Sequence, residues 1–158
     1  MKKKFWGLLC LLVLSAPLFA DMGKEELQKM YLDYFRSRNI NAQVDSDGDI
    51  EFRYEGTRFN EMTFWIGIDE DDQQYFLIFI TGIYSLDTAA EKRRAPLAAA
   101  VATRKADVAK IYLRDDGANI TASAEAFLAN PQDFRAVFPK LMRELDSVMY
   151  YFLNEMRG

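Results

Sequence analysis

The segment Met62–Leu86, MTFWIGIDEDDQQYFLIFITGIYSL, restricts the fold of this chain more than any other. It consists of two apolar runs, rich in aromatic and β-branched residues, joined by the acidic stretch Asp69–Asp72. Runs of this length and composition predict two antiparallel strands closed by a turn. Strand 62–68 has Phe64, Ile66 and Ile68 on one face and Trp65 on the other. Strand 75–84 is apolar on both, with Tyr75, Leu77, Phe79 and Ile83 set against Phe76, Ile78, Ile80 and Tyr84.

The flanking strands behave differently. Residues 50–55, IEFRYE, alternate apolar with polar and follow the turn sequence Asp45-Ser46-Asp47-Gly48-Asp49. Residues 108–114 place Ala109, Ile111 and Leu113 inward and Lys110, Tyr112 and Arg114 outward. After the turn Asp115-Asp116-Gly117, residues 119–126 alternate again, with Ile120, Ala122, Ala124 and Ala126 opposite Asn119, Thr121, Ser123 and Glu125. Alternation of this kind means one covered face and one wet face.

Three helices accompany the strands. Leu27, Met30, Tyr31, Tyr34 and Phe35 recur at helical spacing over 24–38, and Asn39 supplies a stop. Residues 87–105 are alanine-rich, with a basic cluster at Lys92, Arg93 and Arg94, followed by Pro96, which is expected to open the main helix or kink it. The last helix is expected to start with Asn130 as cap and Pro131 as its first residue, and to kink at Pro139. The fold class is α+β, a mainly antiparallel sheet with N-terminal, central and C-terminal helices.

The chain opens with Lys2-Lys3-Lys4, an apolar run from Phe5 to Leu14, and Ser15-Ala16-Pro17-Leu18-Phe19-Ala20. This is the pattern of a cleaved bacterial leader, with the cut after Ala20 or, alternatively, after Ala16. The run is too short to span a bilayer, so no stable membrane insertion is expected after cleavage. Residues 21–158 are expected to form one domain, periplasmic or secreted. The leader carries three of the 20 Lys and Arg and none of the 24 acids, which leaves 17 against 24 and a formal charge of −7 on the remainder. That balance argues against nucleic acid and against an anionic membrane surface as partners.

The chain contains no histidine, and its one cysteine, Cys10, lies in the leader. The usual neutral-pH base, the Ser-His and Cys-His nucleophile systems and the common zinc ligand sets are therefore missing. No phosphate-binding glycine loop or nucleophile elbow is present. Asp45, Asp47 and Asp49 have the spacing of the first calcium-loop ligands, but Gly48 precedes the third acid instead of following it, and position twelve is Gly56 in place of glutamate. No cofactor and no metal site is predicted, and no catalytic residue.

The passages QVDSDGDIEFRYEG, FWIGIDEDDQQYFLIFI and KIYLRDDGANITASAEAFL, with the alanine-rich helix between and the terminal helix after, resemble the YbjN family, whose fold is that of the type III secretion chaperones. The resemblance covers nearly all of 21–158. It implies a two-layer sandwich, frequently dimeric, with roles in protein binding or regulation, and it brings no catalytic residues. A secretion chaperone must meet its client before export, so the leader sets this chain apart from the cytosolic chaperones.

The apolar central hairpin between alternating neighbours predicts a binding surface. Two registers are open. Pairing Ile68 with Tyr75 puts Phe76, Ile78 and Ile80 beside Trp65; a shift of one residue puts Tyr75, Leu77 and Phe79 there instead. The candidate surface is Trp65, Tyr75, Leu77 and Phe79, to be covered by the chain's own helices, by a second copy or by another protein. The expected function is an exported, non-catalytic protein-binding or adaptor domain, acting alone or as a homodimer. The alternative is a carboxylate-dependent hydrolase or a small-ligand or calcium-binding protein of the cell envelope.

Overall fold

A computed structural model describes residues 22–69, 71–115 and 117–158; residues 1–21, which include the expected leader, and Glu70 and Asp116 fall outside it. The elements run α1 (Lys24–Ser37), β1 (Ala42–Val44), β2 (Ile50–Tyr54), β3 (Met62–Gly67), β4 (Tyr75–Ser85), α2 (Ala89–Lys105), β5 (Ala109–Leu113), β6 (Asn119–Phe127), a 3-10 turn at Pro131–Asp133, and α3 (Phe134–Arg157). The six strands form one antiparallel sheet in the order β1-β2-β3-β4-β6-β5. The helices pack on one face of it, giving the two-layer α+β sandwich that the alternating strands call for.

The covered face is set by strand parity. Ile50, Phe52, Phe64, Ile66, Phe76, Ile78, Ile80, Ile111, Ile120, Ala122 and Ala124 are all buried, and they meet Leu27, Tyr31 and Phe35 of α1 and Phe138, Leu145 and Phe152 of α3 in one contiguous cluster. Aromatic rings carry much of this packing. Phe35 stacks on Phe52 at 4.7 Å between ring centres, Phe138 meets both at 5.3 and 5.6 Å, and Tyr31 meets Phe134 edge-on at 4.7 Å. Pairs of this kind add about 0.5–1.5 kcal/mol each beyond the burial of their area. Asn39 does end α1 in the left-handed region, at φ 56°.

The second helix begins earlier than Pro96 suggested, and the last opens at Asn130 and Pro131 as a 3-10 turn. Thr88 caps α2 in a reciprocal box with Glu91, so the helix starts one full turn and more before Pro96, which sits in its interior on the solvent side. The capping box satisfies the first orphan N–H groups and outweighs the proline as the start signal. Asn130 and Pro131 open a 3-10 turn, with Asp133 closing a second capping box, and α3 follows from Phe134 and continues through Pro139.

One tertiary clasp has no counterpart in the sequence pattern. Asp146 lies on α3 and is only 5% exposed. Its carboxylate accepts hydrogen bonds from the Thr57 hydroxyl at 2.6 Å, the Arg58 N–H at 3.1 Å and the Arg58 guanidinium at 3.0 Å. The loop between β2 and β3 is thereby tied to α3, with the Arg58 guanidinium also 5.1 Å above the Tyr150 ring. Gly56 permits the approach, since a Cβ there would stand 2.5 Å from the Asp146 Oδ1. Asp146→Ala leaves the part-buried Arg58 N–H, its guanidinium and the Thr57 hydroxyl without their acceptor and should cost about 1–3 kcal/mol, read as a fall of roughly 3–10 °C in melting temperature. An unchanged melting temperature would show that the clasp contributes nothing.

Candidate functional site

The face turned away from the helices is organised by the pairing of β3 with β4. Trp65 pairs with Phe79 and Gly67 with Leu77. This is the shifted register, and it sends Phe76, Ile78 and Ile80 into the core beside Phe64 and Ile66. The other register would have sent Tyr75 and Phe79 under the helices and three large apolar side chains into water. Trp65, Tyr75, Leu77 and Phe79 consequently lie together on the open face, each half-buried by its neighbours, with no helix of the described residues over them.

The four side chains form a continuous stripe along the two central strands. Trp65 and Phe79 are stacked, with ring centres 5.8 Å apart and planes 19° from parallel. Leu77 leans across Gly67, where a Cβ would be 3.1 Å from the Leu77 Cδ2; glycine lets the stripe lie close to the sheet. At its end Tyr75 meets Phe127 at 5.5 Å, and Phe127 is 76% exposed. Beside the stripe, Asp49, Ile68 and Asp69 help to line a shallow depression, open to solvent, that also touches Tyr75 and Leu77.

Polar wings flank the stripe on both sides. Toward one edge Trp65 pairs with Glu51 and Glu51 with Gln43. Toward the other, Phe79 pairs with Ser123 and Ser123 with Lys110, while Thr121 lies between Thr81 and Tyr112. Thr121 and Ser123 are 4% and 1% exposed, so β6 forms the floor of a narrow trough walled by Phe79 and by Lys110 and Tyr112. The Thr121 hydroxyl is hydrogen-bonded to that of Thr81 at 3.2 Å, and Lys110 is paired with Glu125 at 2.5 Å.

Glu125 also acts on the Tyr75 hydroxyl. Burial pushes the Tyr75 hydroxyl up, and the hydrogen bond to Glu125 and its charge push it further, to about 12. Burial would raise the Glu125 carboxyl, but hydrogen bonds from Lys110 and Tyr75 outweigh it and hold the carboxyl below its usual range.

The acidic turns do other work than ligation. Asp45 Oδ1 accepts the N–H groups of Asp47 and Asp49, Asp49 Oδ1 accepts that of Ile68, and Asp69 Oδ1 accepts those of Asp71 and Asp72. These are side chains closing turns on their own backbone. Among the described residues no three acids converge as a metal-binding group, so the calcium-like spacing of Asp45, Asp47 and Asp49 does not translate into a coordination geometry.

Two residues of the surface and its support went unread in the sequence. Phe127 belongs to the stripe because β6 runs one residue beyond Ala126, and simple continuation of its alternation would have placed it there. Asp146 carried no local signal, since its partners lie almost ninety residues away.

The fold has a counterpart among solved structures. The chain is similar to YbjN from E. coli, a proposed transcription regulator, with a TM-score of 0.58 at 9% identity over 87% of this chain and 95% of that one. At this identity the likeness establishes the fold alone. No family model and no curated protein sequence matches the chain.

The Tyr75 and Glu125 pair has a defined pH signature. Tyr75 contributes stability that is present below its ordinary value of about 10 and lost as pH rises toward 12. The contribution of Glu125 is present above its ordinary value of 4.5 and is lost as pH falls through its lowered one. In Glu125→Gln the burial of Tyr75 remains but the charge is gone, so the Tyr75 midpoint should move partway back toward 10. The tyrosinate absorbance of that variant, taken as a difference against Tyr75→Phe, checks this, and an unmoved midpoint would rule out the coupling.

Proposed function

We propose that this chain is an exported, non-catalytic protein-binding domain, working as an adaptor through the open sheet face and pairing there with a second copy of itself. The observation that carries the reading is the stripe of Trp65, Tyr75, Leu77, Phe79 and Phe127 on a face that no helix of the described residues covers. An apolar aromatic centre with charged and hydroxyl-bearing wings is the anatomy of a protein interface, and aromatic anchors near the centre carry most of the energy in such contacts.

The position of the stripe supports self-pairing. β3 and β4 are the two central strands of six, with two strands on either side. A two-fold axis parallel to the strands and running between them brings Trp65 of one copy over Phe79 of the other, and the Glu51 wing of one over the Ser123 and Lys110 wing of the other. Isologous contacts demand this kind of self-complementarity.

The sheet edges favour the face over edge-to-edge pairing. At β5 the Thr103 hydroxyl of α2 accepts the Ile111 N–H at 3.0 Å and donates to the Ile111 carbonyl at 3.2 Å. At the opposite end β1 is three residues long. A covered edge and a short edge are the devices by which sheets avoid adding strands. Export rests on the leader alone, from the basic start through Ala20.

Sedimentation of residues 21–158 should give a concentration-dependent dimer that the double substitution Trp65→Ser and Phe79→Ser weakens about a hundredfold or more, two anchors being worth on the order of 3 kcal/mol together. A monomer at every concentration, equally soluble with and without the substitutions, would refute self-pairing. For export, intact mass of the protein recovered outside the cytoplasm should correspond to a chain starting at Asp21 or Pro17; a full-length chain retained in the cytoplasm would refute it.

A further inference from the structure

Charge in this molecule is segregated. α2 carries Lys92, Arg93, Arg94, Arg104 and Lys105 against the single acid Glu91, a net charge of +4, which leaves −11 for the rest of residues 21–158. Glu91 is engaged at the helix start, accepting the Thr88 N–H and the Tyr84 hydroxyl. Lys105 pairs with Glu155 at 2.7 Å. Lys92, Arg93, Arg94 and Arg104 are exposed and have no ion pair among the described residues.

The shape of α2 is as distinctive as its charge. Only Ala95, Ala98, Ala99 and Ala102 are buried, a narrow stripe that seats the helix and leaves most of its circumference in water. On the outer side Arg93, Leu97, Ala100 and Arg104 follow one another at helical spacing, and Leu97 is 70% exposed. The result is a convex ridge with cations at both ends and an apolar side chain between them. An acidic peptide could pair with the arginines, but the convex ridge gives it no groove to lie in and leaves Leu97 without an apolar partner. A flat anionic surface with an apolar layer beneath it matches both features.

We propose that α2 docks the domain peripherally on an anionic lipid surface, with Arg93 and Arg104 at the headgroups and Leu97 at the boundary with the acyl chains. The net charge of −7 argued against such a surface, but net charge matters only within reach of the contact. At physiological salt the screening length is about 8 Å, so the lipid meets the +4 of the ridge more than the acids beyond it. Since the helices and the aromatic stripe occupy opposite faces of the sheet, docking through α2 leaves the stripe accessible, and neither reading depends on the other.

Co-sedimentation of residues 21–158 with vesicles tests this directly. Binding should occur on phosphatidylcholine vesicles containing phosphatidylglycerol and not on phosphatidylcholine alone, and should weaken as salt is raised. Arg93→Glu with Arg104→Glu should cut it at least twentyfold, at about fivefold per cation removed. Leu97→Ser should cut it severalfold, while Trp65→Ser should leave it unchanged. All of these substitutions are at the surface, and an unchanged melting temperature verifies folding. Equal binding to both vesicle types, binding that survives the double charge reversal or Leu97→Ser, or binding lost with Trp65→Ser would each overturn the proposal.

Discussion

The packing of Phe35 on Phe52, with Phe138 closing over both, decides which side of this molecule is inside. These three rings join α1, β2 and α3, and each is at most 2% exposed. Once Phe52 points toward the helices, strand parity carries the choice across the sheet through its antiparallel partners, from Phe64 and Ile66 to Ile78 and Ile80, and on to Ala122, Ala124 and Ile111. A slip of one residue anywhere along that series would turn a whole strand over. The register of β3 against β4 is therefore dictated by the core, and the composition of the open face follows from it.

The apolar stripe is the part of this arrangement that folding alone does not explain. Apart from Tyr112 on β5 and Phe127 at the end of β6, the strands β2, β5 and β6 send polar or small side chains to the open face, as strands facing water do. β3 and β4 send Trp65, Tyr75, Leu77 and Phe79. Burying the alternate residues of β4 does not require Leu77 and Phe79 to be apolar, and their half-buried state contributes less to folding than full burial would. On the proposed reading their value lies in contact with a second copy. The sealed edges point the same way, because a sheet that had to associate by adding strands would not cap Ile111 with Thr103.

Much of the fold was legible because the strands declare their faces by alternation and α1 by its spacing. The open register of the central hairpin was not, since β4 is apolar on both sides and local pattern cannot choose between them. Pro96 misled for a related reason. It is strong punctuation locally, yet the capping box of Thr88 with Glu91 sets the actual start of α2, whereas Asn130 and Pro131 do open the last helical segment, as a 3-10 turn that runs into α3. The four residues named for the candidate surface do fall side by side on the open face, and the row extends to Phe127, where the strand runs one residue longer than its alanines suggested. Asp146 was invisible because a long-range clasp has no period. The segregation of charge onto α2 was hidden by the bulk balance of acids and bases, and only the placement of that helix outside the core brought it out.

Trp65 is the sole tryptophan of residues 21–158, so its fluorescence reports on the stripe without labelling. Quenching by a neutral solute, followed from dilute to concentrated protein, measures whether the open face is wet in the isolated chain and covered on association. The account predicts an accessible, long-wavelength emission at high dilution that becomes shielded and shifts to shorter wavelength as concentration rises. A tryptophan equally shielded at every dilution would mean that the chain covers its own stripe, and would contradict the account.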